Sequence, residues 1–173
     1  MSYDFRLFLP QSGVDALVTA QVEPRESGPP VPAKEARKRA IVKALMKADP
    51  ALEVFQFGFD EIAKSQNISV DEAKVRFRHL ELNGPEDGPG IQITLFDDDA
   101  SLTVPYWHTD KKAKAVFAQI WEYLKVIQRV AGYQIYDPQM ECIIDSESTL
   151  DRAAKCYERV SQRFRPSLIH TMK

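Results

Sequence analysis

With two cysteines, seven glycines and three histidines in 173 residues, this sequence has little of what builds covalent staples, phosphate cradles and metal sites. Cys142 and Cys156 are too few for a disulfide framework in a chain of this length. Two buried free thiols in a reducing, cytoplasmic setting are the simpler reading, with a single Cys142–Cys156 bridge as the alternative. No glycine belongs to a GxGxxG or Walker loop, so no backbone cradle for phosphate is expected. His79, His108 and His170 lie far apart, without HxxxH, CxxC or facial-triad spacing, so no metal site is expected. There is no GxSxG elbow, and neither cysteine has a histidine near it in sequence. These absences leave no catalytic residue and no cofactor to name, and an enzyme is not the first reading.

Long apolar runs are missing too. None approaches the roughly 20 residues that cross a bilayer, and no membrane partner is expected. The start, MSYDFRLFLP, carries Asp4 and Arg6 inside its apolar run without a small-residue cleavage pattern, and does not read as a secretory signal. Charge of one sign is lacking as well. Against 25 acidic residues stand 23 basic ones, a net charge of -2, which argues against a generally basic nucleic-acid binder but allows a local patch.

What is present is ordinary globular material, 44% hydrophobic and 28% charged. One domain over residues 1–173 is expected, with a surface loop at 23–32 marked by Pro24, Gly28, Pro29, Pro30 and Pro32. Alternation at Tyr3, Phe5, Leu7 and Leu9 against Asp4 and Arg6 predicts a first strand. Residues 33–48 predict a helix with Ala33, Ala36, Ala40, Ile41, Ala44 and Leu45 inward and the lysines and arginines outward. Asp60 is placed to cap a brief helix through Ser65, and Ser69-x-x-Glu72 forms a capping box for another. Residues 76–83 fit either the end of that helix or a strand. Residues 91–96 and 101–106 predict a hairpin around Asp97-Asp98-Asp99-Ala100. The strongest helix runs over residues 111–131, from a cap at Asp110 to Gly132, with Leu124 and Ile127 inward. Short strands flank Asp137-Pro138-Gln139, and a final helix spans 149–164 and stops at Pro166. The pattern is that of an α+β fold, a mainly antiparallel sheet of about six or seven strands with long C-terminal helices packed on it.

Three places could carry function. The Asp97–Asp99 run offers oxygens to a hard cation, but such a turn is also a favoured place for solvated aspartate; a hydrolase using Asp97, Asp98, Asp99 or His108 is the weakest functional reading. Val104-Pro105-Tyr106-Trp107-His108 delivers three amphipathic side chains from a strand end, and Tyr136-Asp137-Pro138-Gln139 does the same at a turn. Tyr106, Trp107, His108, Tyr136, Asp137 and Gln139 are therefore the candidate protein-binding residues. Residues 59–78 make up the third place, a short helix, a turn ending Asn67-Ile68-Ser69 and a capped second helix. This segment resembles the helix-turn-helix of bacterial regulators. The resemblance implies DNA contacts from Lys74, Arg76 and Arg78, and the following hairpin would serve as a wing. Asp71, Glu72, Glu86 and Asp87 on the same surface would repel phosphates.

The Ser2-Tyr3-Asp4 start, the Pro105-Tyr106-Trp107 strand end and the Tyr136-Asp137-Pro138-Gln139 turn resemble a loose group of small bacterial α/β proteins, some suspected of acting as immunity or other protein-binding factors. That resemblance implies a protein partner of unknown identity and no catalytic residues. The leading expectation is a non-enzymatic intracellular protein-interaction module of immunity-like type. The alternative is a winged-helix-type DNA-binding regulator.

Overall fold

The computed structural model of the chain describes residues 2–22 and 29–163. Its strands form one antiparallel sheet of seven, in the order β2-β3-β4-β5-β1-β6-β7. The central strand is β1 (Ser2–Phe8), paired with β5 (Asp99–Pro105) on one side and β6 (Gln134–Asp137) on the other. Beyond β5 lie β4 (Gln92–Leu95), β3 (Leu80–Asn83) and the short edge strand β2 (Glu53–Val54); beyond β6 lies the equally short β7 (Cys142–Ile143). The α+β architecture read from the sequence is the one found.

The period-2 pattern decides which face is dry. Tyr3, Phe5 and Leu7 of β1 are at most 1% exposed, as are Leu102, Ile93 and Ile135 on neighbouring strands. This face is covered by α2 (Pro32–Ala48), α5 (Asp110–Ala131) and α6 (Glu147–Arg163). Helix α5 is the main lid. Its Ile120, Leu124 and Ile127 are fully buried at helical spacing, and Gly132 closes it in the left-handed conformation (φ +70°) that glycine adopts without strain. On the opposite face Asp4, Arg6, Thr94 and Ser101 are half-buried, and α1 (Ala16–Gln21) covers one corner through Phe8, Ala20 and Tyr136. The remaining helices, α3 (Phe59–Gln66) and α4 (Val70–Arg76), pack on each other with Ala63 and Ala73 between them.

Several local expectations need correction. Residues 23–28 of the expected loop, and Phe164, Pro166 and His170, lie outside the described residues, while Pro32 opens α2 at its first turn, where its missing N–H costs nothing. Ala33, Ala36 and Ala40 face solvent; the buried stripe of α2 is Lys38, Ile41 and Leu45. Gly58, not Asp60, is the cap of α3, and Thr109, not Asp110, that of α5. The Ser69 hydroxyl does accept from the Glu72 N–H at 3.1 Å, but the Glu72 carboxylate turns to Arg76 at 2.5 Å. Phe77 ends α4, so residues 80–83 are strand.

Candidate functional site

The three short motifs that stood apart in the sequence meet at one end of the sheet. Antiparallel pairing places Ser2 opposite Pro105, and the start of β1 lies beside the end of β6. The Tyr3 hydroxyl donates to Asp137 Oδ2 at 2.5 Å, and both residues are fully buried. Oδ1 of the same carboxylate accepts from the backbone N–H groups of Gln139 (2.8 Å) and Met140 (3.1 Å). The Gln139 carboxamide, with its NH2 turned inward, donates to Asp4 O at 2.8 Å and to Asp137 Oδ1 at 3.2 Å. The Tyr3 ring meets Tyr157 (5.5 Å between centroids) and Tyr106 (6.1 Å), and Tyr157 donates to Pro105 O at 3.2 Å.

Burial raises the pKa of Asp137, against the opposing pull of its hydrogen bonds from Tyr3 and the two backbone donors. It raises Tyr3 as well, and the contact with Asp137 adds to that rise, so the proton stays on the phenol. Burial pushes Tyr157 up to about 12 and Tyr106 in the same direction. The three tyrosines thus keep their protons through neutral pH. The chemistry of the cluster is positional: Asp137 stitches the β6–β7 turn to β1 and fixes Gln139 and Met140 at the rim.

That rim opens on a cleft of about 430 Å3 lined by Gln139, Met140, Arg152, Lys155, Cys156 and Arg159. The sequence reading missed all of these but Gln139, and Tyr3 and Tyr157 besides. The available signal was the spacing of Arg152, Lys155, Arg159 and Arg163, which recur every three or four residues and share one helix face. Cys156 is buried with its Sγ 4.0 Å from Arg159 Nη2, and both thiols are free.

Of the candidate protein-binding residues, Tyr136 and Asp137 are buried and Tyr106 is half-buried, whereas Trp107 is 66% exposed and Gln139 is exposed. His108 is 1% exposed. Burial lowers its pKa, and its neutral ring sits with Nε2 2.6 Å from Pro89 O. A carbonyl only accepts, so Nε2 carries the proton and donates. His108 thus staples the 84–90 loop beneath Trp107. Gly90 completes that platform at φ +71°, where an added Cβ would come within 3.2 Å of the indole.

The Asp97–Asp99 turn is neither a solvated loop nor an open oxygen cage. Arg78 and Lys38 hold Asp97 at 2.5 and 3.4 Å, Lys34 and Arg37 hold Asp98 at 2.5 and 3.2 Å, and Arg6 holds Asp99 at 3.0 Å. Among the described residues no group of three or more His, Cys, Asp or Glu could hold a metal ion.

Of the candidate DNA-binding residues, Lys74 and Arg76 are exposed beside Asp71 and Glu72, but the Arg78 side chain is 7% exposed and committed to Asp97. Helix α4 has only seven residues, and the β3–β4 hairpin, expected as a wing, runs inside the sheet against β5. Asn67, at φ 53°, makes the left-handed turn between α3 and α4. No helix among the described residues is long and apolar enough to cross a membrane. Comparison with protein families, curated proteins and solved structures found no match.

Proposed function

We propose that the chain is a non-enzymatic protein-interaction module of immunity-like type, meeting its partner with the sheet end that carries Trp107 and Gln139. The observation behind this reading is the presentation of Trp107. A tryptophan 66% exposed, held between buried His108 and the close-packed Gly90, is a large apolar surface whose ordering cost is already met. Such rigid aromatics are the side chains that dominate interface energetics. The polar groups beside it fit the same role, since their hydrogen bonds are spent on shape. Two free thiols fit a cytoplasmic location. DNA binding ranks second, because one of its three basic residues, Arg78, is engaged by Asp97 in the protein's own interior.

The test is co-precipitation from the native lysate with wild-type protein and with Trp107→Ala, using Met46→Ala, another exposed apolar side chain, as control. The expected outcome is a specific protein retained by wild type and Met46→Ala and lost by at least tenfold with Trp107→Ala. A partner captured equally by all three would refute the reading, and so would capture of no protein at all.

A further inference from the structure

Helix α6 sorts its charges into separate stripes. Glu147, Asp151 and Glu158 share the side turned toward α5, where Glu158 approaches Lys114 at 4.0 Å. Ala153, Cys156 and Tyr157 face the core. Arg152, Lys155, Arg159 and Arg163 form a third stripe, all exposed, and the first three line the cleft beside Gln139 and Met140. None of the four is within salt-bridge distance of a carboxylate among the described residues. This contrasts with the cations of the 97–99 turn, each held by a carboxylate. Residues 164–173, which follow the helix, include no Asp or Glu.

We infer that this cleft is a docking groove for an acidic, extended segment of the partner protein, one that presents Asp or Glu side chains three residues apart. The match is one of charge and of length. Arg152 and Arg159 are seven residues apart, a separation of about 10 Å along a helix rising 1.5 Å per residue. A segment extended as polyproline II has three residues per turn and rises about 3.1 Å per residue, so side chains three apart share one side at about 9 Å. Two carboxylates at that interval would each meet a guanidinium, whose planar fork binds carboxylate in a bidentate manner. Lys155 adds a point charge between them, and Met140 and the exposed Gln139 amide supply the apolar and hydrogen-bonding parts of the wall. A nucleic acid fits less well. The acidic stripe of α6 lies alongside, the chain is net negative, and the lining of the cleft includes no aromatic ring for a base to stack on.

The inference rests on the protein-interaction reading and can fail separately from it. The direct probe is a fluorescein-labelled peptide with Glu at every third position in a Gly/Ser background, titrated with the full chain and read by anisotropy at 50 and 200 mM NaCl. A Lys-for-Glu peptide and a single-stranded oligonucleotide serve as comparisons. Arg152→Glu/Arg159→Glu is the test variant, and Lys43→Glu/Lys64→Glu, at exposed positions on α2 and α3, is the charge-matched control. All four positions are solvent-facing, and circular dichroism is the check that each variant folds. The expected result is saturable binding of the Glu peptide only, weakened at least tenfold by the test variant, less than threefold by the control, and by added salt. No binding, equal loss in both variants, or tighter binding of the oligonucleotide overturns the inference. A lysate partner that needs Trp107 but ignores Arg152→Glu/Arg159→Glu would refute the acidic groove and leave the interaction reading standing. A partner indifferent to both sites would refute both.

Discussion

Lys38 shows how far a single residue can depart from its type. Its side chain is fully buried, and its ammonium reaches Glu35 at 2.8 Å, Asp97 at 3.4 Å and the Arg78 carbonyl at 3.2 Å. Removing a charge from water is tolerated only when partners replace the lost hydration. Asp97, itself 6% exposed, is an acceptor shared by Lys38 and Arg78, as is Glu35 at 2.8 and 3.6 Å. Asp97→Ala would take a carboxylate from between two buried cations, leaving Glu35 to face both, and should cost about 3–5 kcal/mol in urea denaturation. Asp98→Ala, whose carboxylate is 44% exposed, should cost at most about 1 kcal/mol although it breaks two ion pairs. Equal costs for the two variants would refute this account of the cluster.

At the scale of elements, what the sequence revealed was local and what it concealed was not. The capping serine Ser69, the Gly132 stop and the spacing of Ile120, Leu124 and Ile127 are signals within one turn or one face, and each marked its element correctly. Leu124→Ala should therefore cost about 2–5 kcal/mol, as core truncations do, and an unchanged denaturation midpoint would contradict the packing of α5 on the sheet. Helix α2 was misread because alanine is indifferent to burial, so its alanines outlined a false inner face. Of the carboxylates that admit Lys38, Glu35 lies one turn away on the same helix, but Asp97 is out of reach of any local pattern. The candidate site was half legible for the same reason. Tyr106 and Gln139 stood out as strand-end and turn residues, but only the pairing of β1 with β5 and β6 brings Tyr106 to Tyr3 and Gln139 to the α6 cleft.

Over the whole molecule, a net charge of -2 conceals strong segregation, with cations on the α6 stripe and acids alternating with bases on α4. Duplex binding through Lys74 and Arg76 would depend on counterion release and so fall steeply with salt. Little binding to a labelled pool of random duplex fragments is expected near physiological salt. Tight, salt-sensitive binding lost in Lys74→Glu and Arg76→Glu would reverse the ranking of the two functions. The central place of β1 also sets a timetable for biogenesis. During synthesis β1 has no neighbour in the sheet until β5 and β6 follow, about a hundred residues later. At roughly 5–20 residues per second this delay is about 5–20 s. During that time Tyr3, Phe5 and Leu7 travel with both strand edges unsatisfied. The newborn chain thus carries an unpaired apolar strand during much of its synthesis, and any segment ahead of Ser2 has to leave this strand free to insert between two late arrivals.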